Sequence, residues 1–215
     1  MPDSDKSTKD QLIAHAMRLF GQKGFEGTST REVARAANAN IGSIAYYFGG
    51  KDGLRMACAE LIGGQIGKVV SFAMDRRQVQ TPEEAAEALE EVLRGLLRYL
   101  SSQPDARDKA RFILRELSNP GMVLDMIYNA LFLPMHKRAC GLWALATGAE
   151  AESEETRIAV FSLIGQAVYF LIAQPIVLPR MEWERLGPEE AETIGNILGR
   201  NLQAAIRAAR EQHDV

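Results

Sequence analysis

The sequence predicts an all-α fold, with a three-helix unit over residues 1–50 and a longer helical bundle over residues 51–215. Three observations lead there. Apolar residues recur at helical spacing through almost every segment. Capping sequences of the form hydroxyl-x-x-acid or amide open several of those segments. No segment shows the period-two alternation of a half-buried strand.

The first helix opens at Thr8-Lys9-Asp10-Gln11, with Thr8 as N-cap and Gln11 at N3. Leu12, Ile13, Ala16, Met17, Leu19 and Phe20 form its stripe, and Gly21 and Gly24 end it. A second capping box, Ser29-Thr30-Arg31-Glu32, starts a short helix with Val33, Ala34 and Ala37 on its apolar face. Asn38-Ala39-Asn40 breaks it. Asn40 caps a third helix running from Ile41 to Phe48, which Gly49-Gly50 stops. Helices this short need a neighbour, so both pack on the first.

From Lys51 the pattern lengthens. Leu54, Ala57, Cys58, Leu61, Ile62, Ile66, Val69, Val70 and Ala73 mark a rod of ~35 Å, a connector between the small unit and the bundle. Thr81-Pro82-Glu83-Glu84 starts the next helix with a cap, Pro at N1 and Glu at N3. Its stripe is Leu89, Val92, Leu93, Leu96, Leu97 and Leu100. A helix over about 105–118 stops at Asn119-Pro120-Gly121. One over about 122–146 is kinked or divided near Leu133 by Pro134. Residues 154–173 are apolar nearly all round, so that helix is either central or closed by another subunit. Residues 174–187 read as a loop with an exposed Trp183. Pro188 opens the last helix, with Ala191, Ile194, Ile197, Leu198, Leu202, Ala205, Ile206 and Ala209 as its stripe and Gly195 and Gly199 permitting close helix approach. A homodimer built on residues 154–173 and 189–210 is expected.

Composition narrows the function. The 215 residues are 47% apolar and 25% charged, too apolar for disorder. Cys58 and Cys140 are too few for a disulfide scaffold or Cys-based zinc site. His15, His136 and His213 lie far apart, so no metal or cofactor is expected. The start, MPDSDKSTKD, lacks a secretory h-region, and no run is read as long enough to span a bilayer. The expectation is a soluble cytoplasmic protein without a membrane partner. No Gly-rich phosphate loop or nucleophile arrangement is visible, so the chain does not read as an enzyme. Glu83-Glu84 and Glu189-Glu190 suit helix starts by dipole matching. The net charge is −3, but residues 1–55 hold eight Lys/Arg against six Asp/Glu. A local basic excess is compatible with nucleic acid without requiring it.

Residues 29–48 have helix-turn-helix form, whose second helix suits the DNA major groove. Gly42, Ser43 and Ala45 are small enough for close approach, while Asn40, Ser43, Tyr46 and Tyr47 offer hydrogen bonds. Ser29 and Thr30 begin a helix where phosphate is attracted, and Lys51 lies beside the next helix start.

Phe20-Gly21-Gln22-Lys23-Gly24-Phe25, Thr28 to Ala34, Ala37 to Phe48 and Lys51-Asp52-Gly53-Leu54 together resemble the N-terminal domain of TetR/AcrR transcriptional regulators, over about residues 8–55. The resemblance implies an all-helical homodimer, most often a repressor, that binds a palindromic double-stranded operator. It also implies that a small molecule in the C-terminal domain releases the DNA. Thr28, Ser29 and Thr30 then meet phosphate. Asn40, Gly42, Ser43, Ala45, Tyr46 and Tyr47 belong to the recognition helix, and Lys51 matches the lysine of the next helix start. The chain departs from the pattern at Tyr47, where His is frequent, at Gly50, where Ser is frequent, and at Ala45, where a larger polar residue is common. Arg115 to Pro120 and Phe161 to Gln166 resemble the C-terminal domain of CerR-type members, over about 105–180, a subgroup associated with transporter or stress-response genes.

Among the long helices, Phe72, Arg111, Arg115, Met126, Tyr128, Trp143, Gln166 and Tyr169 are candidates to line a site for an apolar or amphipathic effector. Aromatic and Met residues at this spacing equally suit a core. Arg115, flanked by Leu114 and Leu117, needs a partner if buried, either Glu116, another carboxylate or an acidic effector. The competing reading is a helical protein-interaction module without specific DNA binding.

Overall fold

Local caps decide where the N-terminal helices begin. The computed structural model describes residues 7–75, 79–102 and 105–213, and the side-chain surroundings of these apart from 65–75, Leu100 and His213. Helix α1, Thr8–Lys23, takes Ser7 as its N-cap, whose hydroxyl accepts from the Asp10 N–H. The expected cap, Thr8, is the first helical residue instead, because Ser7 one position earlier meets the same geometric need. Helix α2, Thr30–Ala36, is capped by Ser29 as expected, with Ser29 Oγ accepting from the Glu32 N–H at 3.1 Å. Helix α3, Gly42–Phe48, has no side-chain bond at its own N-cap, Ile41. Asn40 Oδ1 closes the turn just before it by accepting from the Gly42 N–H at 2.8 Å. Gly49 and Gly50, at φ 71° and 140°, end α3 in conformations that side chains resist, which accounts for Gly50 in place of a capping Ser.

Helix α4 is Lys51–Asp75, α5 is Pro82–Ser102 and α6 is Ala106–Ser118. The Thr81 cap of α5 is present, and Glu84 reaches back to the N–H groups of Gln80 and Thr81. Pro134 divides the next segment as expected. Helix α7, Met122–Ile127, passes through a π turn at Tyr128–Phe132 into α8, Leu133–Thr147. The π geometry accommodates a residue that cannot donate to the helical ladder. Helix α9 is Glu154–Ile172, α10 is Gln174–Met181 and α11 is Pro188–His213. The expected loop after residue 173 is thus largely the helix α10, with Pro175 in its first turn, where a missing N–H costs nothing. Trp183 is half-buried against apolar neighbours rather than exposed.

The chain divides into two compact units. One runs to Gly67 and takes in Arg107–Leu131; the other holds Lys68–Ala106 and Phe132–Val215. The boundary read at residue 50 follows the motif, whereas packing carries the first unit into α4. It also recruits α6, whose buried Phe112 lies 6.4 Å from the Phe20 ring of α1.

The second unit is a bundle of α5, α8, α9 and α11. Leu89, Leu93, Leu97, Trp143, Val160, Leu163, Ile194, Leu198, Leu202 and Ile206 form its core. Gly195 and Gly199 do permit close approach, but to α5 of the same chain. A Cβ on Gly199 would stand 2.8 Å from Glu90 Oε1, and one on Gly195 would stand 3.2 Å from Arg94 Nη1. Ile194 faces this core and not outward. Helix α9 buries Thr156, Val160, Leu163 and Ala167 on one side. On the other it exposes Ile158, Phe161, Tyr169 and Ile172. By length and composition α9 is apolar enough to cross a bilayer, at a mean hydropathy of 1.3, which corrects the expectation that no run reaches that length.

Candidate nucleic-acid interface

The small unit holds α3 from beneath and leaves its far side open. Ile44 is buried at 1% exposure, whereas Tyr46, two residues on, is 82% exposed. Gly42 and Ala45 are exposed, Ser43 is half-buried, and Tyr47 is exposed with its ring edge-on to Tyr46 at 4.9 Å. Asn40 is exposed, with its carbonyl oxygen committed to the Gly42 N–H. Seven successive positions thus give one anchoring side and one free side, the geometry a helix needs to enter a groove.

Thr28 departs from the sequence expectation. Its side chain is buried at 1% exposure, and its hydroxyl is shared between the carbonyls of Gly24 at 2.8 Å and Leu19 at 3.2 Å. It ties the α1–α2 turn to the end of α1, so its hydroxyl is not presented to phosphate. Ser29 is exposed and Thr30 half-buried at the start of α2. Lys23 pairs with Glu32 across that turn, and the Lys23 ammonium holds the Glu32 carboxyl below its usual range.

Lys51 is half-buried, with its ammonium 4.1 Å from the centre of the Phe25 ring. The Arg55 guanidinium stacks on the same ring at 4.6 Å. Phe25 therefore supports two cations at the root of α4. Arg55 also pairs with the buried carboxylate of Glu116 on α6. Sequence reasoning missed both features. The Phe-Gly-x-x-Gly-Phe segment was visible, but its cation partners lie 26 and 30 positions away, and Arg55 to Glu116 spans 61.

Two stretches of the chain match known families. Residues 12–58 match the TetR family of bacterial regulatory proteins. Residues 85–209, more than half of the chain, match the C-terminal domain of the HTH-type transcriptional dual regulator CecR. The chain is 31% identical over 195 residues to the regulator CecR of Shigella flexneri, covering 88% of this chain and 86% of that protein. The chain belongs to the TetR family, in the branch with a CecR-type C-terminal domain. It is 37% identical over 112 residues to the probable HTH-type regulator YttP of Bacillus subtilis, about half of each chain. Solved structures of a TetR-like regulator from Rhodococcus sp. RHA1 and a transcriptional regulator from Pseudomonas aeruginosa PAO1 share the fold. Their TM-scores are 0.68 and 0.67 at 17% and 16% identity, covering 93% and 94% of this chain and 96% and 93% of theirs. The C-terminal likeness read as CerR-type is thus to CecR, and it extends over more of the bundle than residues 105–180.

As a TetR-family member the protein is a homodimeric DNA-binding regulator of transcription that responds to ligands. The candidate effector residues fall in both units. Arg111 and Arg115 line an open groove with Gly21, Gln22, Leu114 and Ser118, all within the first unit. Arg115 is exposed and donates to the carbonyls of Gln22 at 3.3 Å and Gly21 at 3.5 Å. Among the described residues its partner is the end of α1, neither Glu116 nor another carboxylate. Met126 is half-buried and Tyr128 exposed in the same unit. Trp143 is a core residue of the second unit at 5% exposure. Gln166 accepts from Asn201 at 2.9 Å, and Tyr169 is half-exposed on α9. Phe72 lies outside the residues whose side chains are described.

Proposed function

We propose that the protein is a cytoplasmic repressor whose dimer grips a palindromic operator, and whose grip a small molecule loosens. The observation that carries this is the free side of α3, with Tyr46 the most exposed large side chain of the recognition segment. In this reading Asn40, Gly42, Ser43, Ala45 and Tyr46 approach base edges. Ser29, Thr30, Tyr47 and Lys51 take phosphates. Two recognition helices of a two-fold dimer reach successive major grooves about 34–36 Å apart. The residues to position 50, with Lys51 at the root of α4, serve the DNA, and the remainder serves dimerisation and effector binding.

An effector acts only if it favours one dimer geometry. Candidate lining residues are Phe72, Arg111, Arg115, Met126, Tyr128, Trp143, Gln166 and Tyr169, with an apolar or amphipathic molecule as the ligand class. The α4 helix carries the change, aided by α6, because Glu116 of α6 is bound to Arg55 at the root of α4. A second reading, control in both directions, is favoured by the relative described as a dual regulator. The test is a mobility-shift titration of the protein's own upstream region, with and without each compound of a broad effector screen, beside a transcription assay in a deletion strain. Loss of the shift with a compound and raised transcription in the strain support repression. Lowered transcription in the strain favours the second reading. An upstream region that never shifts contradicts both.

A further inference from the structure

The free side of α3 is poor in the groups that usually read bases. Gly42–Phe48 contains no Arg, Lys, Asn, Gln, Asp or Glu. Guanine is most often read by Arg or Lys, and adenine by the paired donor and acceptor of Asn or Gln. Asn40, just ahead of the helix, already commits its acceptor oxygen to the Gly42 N–H. What α3 offers instead is methyl and ring surface.

Ile41 is 47% exposed, whereas Leu12, Ile13, Val33, Ile44 and Leu54 of α1 to α4 pack inward. Its backbone is already helical, at φ −58° and ψ −34°. Ile41 and Ala45 therefore lie one turn apart on the same side, with Gly42 and Tyr46 one turn apart beside them. All four are exposed. Gly42 adds no side chain that would hold Ile41 away from a groove floor. A lone exposed Ile is ordinary on a protein surface. One paired with an Ala on the outward side of a recognition helix has a specific complement, because the major groove carries one apolar feature, the C5-methyl of thymine.

We propose that Ile41 and Ala45 read thymine C5-methyl groups, so that each half-site is specified by methyl contacts and the Tyr46 hydroxyl rather than by guanine-reading side chains of α3, an inference that rests on α3 being the recognition helix. Ile41 thereby becomes a specificity-determining residue outside the set expected from sequence.

The experiment uses the full-length dimer and duplexes enriched by selection from random DNA. Each half-site thymine is replaced in turn by uracil, which removes only the methyl group. In a second series each guanine is replaced by 7-deazaguanine, which removes the major-groove N7 acceptor. The expected result is a loss of about four-fold in affinity at each thymine whose methyl is buried on α3. Ile41→Ala is expected to bind thymine and uracil duplexes equally at one of those positions, with unchanged melting temperature because Ile41 is exposed. Unchanged affinity with uracil at every thymine overturns the proposal and leaves DNA recognition by α3 intact. So does a loss confined to the 7-deazaguanine series. Failure to enrich any duplex overturns the recognition-helix reading itself, and the proposal with it.

Discussion

The guanidinium of Arg55 closes on the carboxylate of Glu116 through two parallel hydrogen bonds, Nε to Oε1 at 2.8 Å and Nη2 to Oε2 at 2.6 Å. The Glu116 side chain is 4% exposed and the Arg55 side chain 21%. Because Arg55 also stacks on Phe25, one cation joins the root of α4, the α1–α2 turn and α6. Arg55→Ala strands a buried carboxylate and is expected to cost about 3 kcal/mol, read from urea denaturation. Arg55→Ala combined with Glu116→Leu is expected to recover most of that loss, since the penalty lies in the unpaired charge.

Tyr46 is expected to belong to the binding surface and not to the fold. At 82% exposure, Tyr46→Ala is expected to leave the melting temperature unchanged. Operator affinity is expected to fall about ten-fold, the lower part of the range for a base contact. Fluorescence anisotropy beside a thermal melt separates the two effects.

Lys51 is expected to contribute a phosphate contact. Lys51→Ala then weakens binding to all duplexes by a similar factor and lowers the slope of log affinity against log salt by about one. A titration at several salt concentrations reads the slope directly.

The exposed side of α9 sets the dimer prediction. Ile158, Phe161, Tyr169 and Ile172 on α9 and Ile197 on α11 are apolar and open in the single chain. Phe161→Glu with Ile197→Glu is expected to give a folded monomer, because neither side chain is in the core of its own bundle. Light scattering at micromolar concentration checks the mass, and circular dichroism checks the helices. Changing Ile194 would not serve, since it packs in the intrachain core.

Much of this architecture was legible in the sequence because it is local. Caps at Ser29 and Thr81, the stop at Gly49-Gly50 and the division near Pro134 each depend on a few neighbouring residues. On the outward face of α3, Gly42, Ala45, Tyr46 and Tyr47 were named for the site from sequence, whereas the exposed Ile41 was not. The cap of α1 was read one residue late because Ser7 and Thr8 are both competent. Helix α10 was hidden because Pro175 and Pro179 signal a break, yet Pro175 falls in a first turn. Thr28 was misread because sequence shows a hydroxyl near a helix start but not the buried carbonyls of Leu19 and Gly24 that claim it. The partners of Arg55 and Arg115 depend on α6 packing with α1 and α4, a long-range arrangement that spacing does not encode.

His15 supplies a pH dependence. Burial, then the nearby positive charge of Arg18, holds its pKa below the ordinary histidine value, and Arg18 Nη2 lies 3.3 Å from its Nδ1. As pH falls through the ordinary histidine range, the unfolded chain takes up the proton first, so stability is lost in that direction and is flat above it. His15→Gln is expected to flatten this part of the profile, read by urea denaturation at about pH 7.5 and about pH 5.

The free side of α3, presented twice by the dimer, is expected to recognise a specific symmetric operator. The most direct measurement is genomic binding-site selection, followed by affinity for the enriched duplex and for random duplex at about 0.15 M salt. The predicted result is a site with two-fold symmetric halves, bound about a thousand-fold or more above random DNA, with the preference reduced in Tyr46→Ala. Equal affinity for enriched and random duplexes would contradict it.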